Sequence, residues 1–67
     1  MVGYNLFTRL ESGDICCAVP EDFVVPSFVA EARWEFAGKV DGDDPTFDGV
    51  AAGESVNLNG FYLFQRV

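Results

Sequence analysis

The segment SVNLNGFYLFQRV, residues 55–67, holds the clearest local signal in the chain. Ser55 to Leu58 and Phe61 to Val67 flank Asn59-Gly60, the preferred pair for a two-residue type I′ turn, whose central positions both need positive φ. In that register Leu58 faces Phe61 and Val56 faces Leu63 on one side, with Tyr62, Phe64 and Arg66 on the other. The pattern predicts a β-hairpin and therefore an antiparallel sheet. Tyr62 and Phe64 then either pack beneath a covering segment or mark an exposed interface.

Upstream, WEFAGKVDGDDPTFD, residues 34–48, has two unlike halves. The first alternates as a third strand over residues 33–40, with Trp34, Phe36, Gly38 and Val40 on one side and Glu35, Ala37 and Lys39 on the other. The second is an acidic loop carrying Asp41, Asp43, Asp44 and Asp48, with Asp44-Pro45 as N-cap and first position of a short turn ending near Gly53. Further back, residues 2–10 alternate, Glu11-Ser12-Gly13-Asp14 supplies turn chemistry, and Ile15 to Val19 is a short apolar run. A tight loop there pairs Leu10 with Ile15, Thr8 with Cys17 and Leu6 with Val19, though Glu11 opposite Asp14 is mildly repulsive and a longer loop fits as well. Residues 20–32 carry Pro20, Glu21 and Asp22 as a helix start, an interruption at Pro26 and an Ala-Glu-Ala run, which favour one or two short helical turns, although Phe28, Ala30 and Ala32 also alternate with Val29, Glu31 and Arg33 as a strand would, and periodicity does not settle residues 26–32. The expected fold is α+β: one domain spanning residues 1–67, an antiparallel sheet of four to five strands built from two hairpins, and short helical segments after strand 2.

Seven Phe, two Tyr and one Trp in 67 residues are enough for a small core, since each buried aromatic removes about 150–250 Å² from water. The two cysteines, Cys16 and Cys17, are adjacent and fall on opposite faces of a strand. A bond between neighbours distorts the peptide, so both are expected as reduced, apolar residues. No apolar run approaches the roughly 20 residues that span a bilayer, and MVGYNLFTRL lacks the pattern of a signal peptide. A cytoplasmic protein that is a monomer or weak dimer is expected.

Eleven acids against four bases leave a net charge of −7 and a pI near 4.1. Direct binding to nucleic acid or to an anionic membrane is not expected of such a chain, and the complementary partners are a basic nucleic-acid-binding protein, a cationic peptide or a metal ion, the alternative being that the acidity serves solubility alone. With no histidine, and with carboxylates in a Gly-rich loop where solvation keeps their pKa values ordinary, no catalytic set is expected. Asp44, Thr46, Asp48 and Gly49 match the first, third, fifth and sixth positions of a calcium loop, but Ser55 stands where the bidentate Glu belongs. Neither a metal nor another cofactor is expected. What remains is the acidic surface: Asp41, Asp43, Asp44 and Asp48, with Glu31 and Glu35 flanking Arg33 and the Glu21-Asp22 pair. Carboxylates two apart on an extended chain lie about 6–7 Å apart, a spacing that suits a row of Lys and Arg in a nucleic-acid groove.

Length, acid excess (Asp41, Asp43, Asp44, Asp48, with Glu11, Asp14, Glu21 and Asp22) and single-domain pattern together resemble the small phage-borne inhibitor proteins of the anti-CRISPR and DNA-mimic kind. The resemblance is one of kind and carries no residue across. It implies a non-enzymatic inhibitor, acting in the host cytoplasm, that blocks the nucleic-acid path of a basic partner such as a CRISPR effector. The alternative is a structural or assembly protein associating through exposed aromatics, with Tyr62, Phe64 and Trp34 as its contact residues.

Overall fold

The computed structural model describes residues 3–11, 14–29 and 33–65. The fold is α+β, a four-stranded antiparallel sheet with one short helix. Strands β1 (Gly3–Arg9), β2 (Ile15–Pro20) and β3 (Trp34–Asp41) are followed by helix α1 (Gly49–Asn59) and strand β4 (Tyr62–Gln65). The spatial order is β3-β1-β2-β4, so the first hairpin forms the centre and the later strands form the edges.

This order dictates both long connections. β2 and β3 run the same way on either side of β1, and the described residues 21–29 of the connection between them lie over one face, where Val25 and Val29 pack. β3 ends, and β4 begins, at the same end of the sheet but on opposite edges. The chain between them must cross the strand ends on the other face. Eleven helical residues span about 16 Å, against about 14 Å for three strand spacings, so α1 has the length that crossing requires. Each face thus acquires its own cover, and the apolar residues sort accordingly. Tyr4, Leu6, Ala18, Val40, Tyr62 and Phe64 pack with Phe47, Ala52 and Val56 on the helix side. Phe7, Cys17, Val19, Trp34 and Phe61 pack with Val25 and Val29 on the other.

The central hairpin forms with Leu6 opposite Ala18 and Thr8 opposite Cys16. This is one residue away from the tight-loop register and corresponds to the longer loop. Because side chains alternate with period two, the shift moves Val19 away from Leu6 to the opposite face. The adjacent thiols Cys16 and Cys17 are both fully buried and free.

Strand β3 departs from simple alternation. Its pairing with β1 slips between Leu6 and Phe7, where Ala37 is the extra residue and Gly38 adopts φ 120°. A bulge of this kind reverses the facing of every later side chain. Trp34 and Phe36 therefore share the face of Phe7, whereas Val40 joins Tyr4 on the helix side, so these residues do not form one stripe.

The helical content sits later in the chain than expected. Residues 21–29 make two isolated turns, with the Phe23 N–H donating to the Pro20 carbonyl and the Val29 N–H to the Pro26 carbonyl, both at 3.0 Å. The helix is α1, after β3. It absorbs residues 55–58, so the hairpin expected about Asn59-Gly60 is a helix-to-strand junction instead. Gly60, at φ 86°, is the left-handed C-cap, and its N–H donates to the Val56 carbonyl at 2.8 Å. A type I′ turn and a helix C-cap both demand positive φ at that glycine, so Asn-Gly cannot distinguish them. The N-cap is Asp48 rather than Asp44, and the helix runs through Gly53 without ending there. Within the last strand, residues 66–67 lie outside the described residues.

A candidate acidic contact surface

At the end of the sheet where β3 stops, the chain folds into two successive turns before entering α1. The Asp44 N–H donates to the Asp41 carbonyl and the Phe47 N–H to the Asp44 carbonyl, each at 3.0 Å. Asp44 holds the second turn from its side chain, since Oδ1 accepts from the Thr46 hydroxyl at 2.6 Å and from the Thr46 N–H at 2.8 Å. Those two donors, the hydroxyl first, hold the Asp44 carboxyl below its ordinary pKa of 3.8. Asp48 Oδ1 accepts from the Ala51 N–H at 3.0 Å and caps the helix. Two of the four loop acids are therefore engaged in shaping the loop, leaving Asp41 and Asp43 exposed at its outer side.

Phe47 is the residue that sequence reasoning missed. Its ring lies 5.1 Å from that of Tyr4, 5.7 Å from that of Phe64 and 6.0 Å from that of Tyr62. An aromatic placed between Thr46 and Asp48 in an otherwise polar loop was the available signal. It anchors the acidic loop to the core from beneath, so the loop is built on a packed support rather than hanging in solvent.

Glu21 and Asp22 lie at the same end of the sheet. Gly3 pairs with Asp41 on one side and accepts from the Glu21 N–H at 3.0 Å on the other, and Asp22 occupies the turn that follows. The topology therefore gathers Glu21, Asp22, Asp41, Asp43, Asp44 and Asp48 at one end. Glu35 is not with them. It lies opposite Thr8, six residues before Asp41 on β3, about 20 Å away along the strand. Glu31 lies outside the described residues.

The bases among the described residues are all engaged. Arg33 Nη1 is 3.0 Å from Glu11 Oε1, Arg9 Nη2 is 3.8 Å from Glu11 Oε2, and Lys39 Nζ is 3.3 Å from Glu21 Oε2. Three bases thus fall on two acids, and neither Asp41 nor Asp43 has an ion-pair partner among the described residues. The Lys39 pair partly offsets Glu21, though an exposed pair of this kind contributes little to stability.

The residues of the calcium-like pattern turn inward upon their own loop, and Ser55 Oγ, inside α1, donates to the Phe61 carbonyl at 2.7 Å. Among the described residues no group of three or more His, Cys, Asp or Glu is placed to hold a metal ion. Tyr62 and Phe64 are stacked at 5.2 Å and half-buried under Phe47 and α1, so they are not the exposed contact residues of the assembly alternative. Trp34 is likewise half-buried, edge-on to Phe28. Among the described residues the large apolar side chains most open to solvent are Val24, Leu58 and Val50.

Fold and surface together define a small α+β protein with a doubly covered antiparallel sheet and one acidic end. No family model matches the chain, and comparison with curated proteins and with solved structures finds no match. No helix among the described residues is long and apolar enough to cross a membrane.

Proposed function

We propose that the protein acts by binding rather than catalysis, and that its acidic end occupies the nucleic-acid groove of a basic partner protein. In this reading it is an inhibitor of the DNA-mimic, anti-CRISPR-like kind, and its partner is a nucleic-acid-handling protein or complex in the cytoplasm. The observation that carries the proposal is the Phe47-anchored loop, in which Asp41 and Asp43 are exposed at the same end of the sheet as Glu21 and Asp22. A charged loop fixed before binding loses little conformational entropy on docking, and its field speeds association with a basic groove.

The test is affinity capture from a bacterial lysate followed by titration of the purified pair. Binding should weaken steeply with NaCl and be competed by duplex DNA. The double reversal Asp41→Lys, Asp43→Lys should lower affinity by about tenfold or more, about 1.4 kcal/mol. The reversal Glu54→Lys, on the exposed side of α1, serves as the control and should change it little. Affinity indifferent to salt and to the loop reversal would refute the mimicry reading.

The assembly reading survives only on other residues. Val50 and Leu58 project from the outer side of α1, 77% and 83% exposed. Sedimentation of the wild type against Leu58→Glu tests it: a dimer abolished by the substitution supports assembly, and a monomer in both ends it.

A further inference from the structure

At the end of the sheet opposite the acidic loop, on the face away from α1, lies a cleft of about 410 Å³ lined by Arg9, Ile15, Phe28, Arg33, Trp34 and Leu63. The strand registers explain how these residues meet. Arg9 pairs with Trp34, and the β1–β2 pairing continued by one step sets Ile15 on the other side of Arg9. Leu63 lies opposite Cys17, a residue of the same face. Phe28 closes one wall with its ring edge-on to Trp34 at 6.0 Å. The floor is thus aliphatic and aromatic, and among the described residues the charged groups of the lining are two guanidiniums.

That pairing is unusual for this chain. Two of its four bases, on a molecule of net charge −7, converge on one apolar hollow that also holds its only tryptophan. Glu11 bridges the two, taking one terminal nitrogen of each, at 3.0 Å from Arg33 and 3.8 Å from Arg9. A guanidinium offers five N–H donors in a planar fork and stays protonated at any working pH. The bridge leaves further donors on both guanidiniums and a net charge of +1 on these three side chains, and it restrains where they point. The volume lies in the range of small-molecule sites, which are apolar clefts with a few convergent polar groups.

We propose that this cleft binds a small organic anion with a flat aromatic body, its ring seated on Ile15, Leu63 and Trp34 and its carboxylate held by Arg9 and Arg33. Charge complementarity selects the anion over a cation or a neutral molecule, and aromatic walls select a ring over a flexible chain. The site is separate from the acidic surface, so each stands or falls without the other.

Trp34 allows a direct reading. The intact protein, labelled with 15N, is titrated with 2-naphthoate and in parallel with its uncharged methyl ester, following the single indole N–H resonance. 2-Naphthoate should shift the Trp34 signal saturably, and the ester should bind about tenfold more weakly. Arg33→Gln, at an exposed side chain, should weaken naphthoate about fivefold while leaving the ester unchanged, which a merely structural role for Arg33 would not do. Leu63→Glu, on the edge strand, should abolish binding of both, with the amide spectrum confirming that the fold is retained. The proposal is overturned if millimolar 2-naphthoate leaves Trp34 unmoved, if acid and ester bind alike, or if Arg33→Gln changes nothing. It is also overturned if a peptide ending in a Phe carboxylate shifts Trp34 where 2-naphthoate does not, since that would make the cleft a peptide site.

Discussion

Cys17 shows how a single buried atom couples the fold to pH. Burial first, and the neighbouring Cys16 second, push its thiol from an ordinary 9.0 up to about 11. Between those values the folded protein keeps the proton and the unfolded chain has lost it, so raising pH favours unfolding. Stability should be level up to about pH 9 and fall from there to about pH 11. Urea denaturation across that range should show the decline, and Cys17→Ala should flatten it while lowering stability at neutral pH. Phe47 is the second residue of consequence. Replacing it by Ala should destabilise the protein by about 2 kcal/mol, below the roughly 3–5 kcal/mol of a fully buried Phe because this ring is half-buried. The same substitution should raise amide exchange across residues 41–48 more than in β1 or β2, since it removes the support of the acidic loop.

At the scale of the element, α1 owes its limits to its caps and its survival to tertiary contact. Its apolar residues do not form a stripe: Ala52 and Val56 face the sheet, while Val50 and Leu58 face solvent. A helix patterned this way announces itself poorly by periodicity, which is why residues 55–58 read as strand. Two glycines of the helix region should respond oppositely to alanine. Gly53 is interior, and a Cβ there meets nothing within 4 Å, so Gly53→Ala should stabilise by about 0.5–1 kcal/mol. Gly60 caps at φ 86°, so Gly60→Ala should destabilise by about 1 kcal/mol despite equally open space. Thermal melts of the two single variants check both signs. The β3 bulge was equally hidden. Glycine in a strand suggests a bulge, but only the pairing partner shows that Ala37 is the extra residue.

For the whole molecule, charge is the dominant long-range term. The Cα radius of gyration, 10.9 Å, matches the roughly 11 Å of a compact domain of this length, so eleven acids share a small volume. The three exposed ion pairs among the described residues do not offset that repulsion. Raising ionic strength from about 0.01 M to about 0.15 M shortens the screening length from about 30 Å to about 8 Å. Stability should therefore increase, by about 1 kcal/mol or about 4–8 °C in Tm, as a salt series of melts would show. Salt should thus act oppositely on the two properties, strengthening the fold while weakening any complex made through the Asp41–Asp48 loop.

Much of this molecule follows from its residues alone. Alternation placed β1, β2 and β3 within a residue or two, because a strand with one buried face must repeat with period two. Composition placed the charge, and the acidic loop was legible as a run of Asp between a strand and a turn. Tertiary structure decided what depends on partners distant in the chain. The order β3-β1-β2-β4 required a crossing of the sheet that α1 fills, converting an apparent hairpin into a helix and its cap. The same order brought Glu21 and Asp22 beside Asp41, sent Glu35 elsewhere and turned Asp44 and Asp48 to local structural work. It also joined Arg9, Ile15, Trp34 and Leu63 around one cleft. Such neighbours arise from strand pairing over long sequence separations, which local preference and periodicity do not encode.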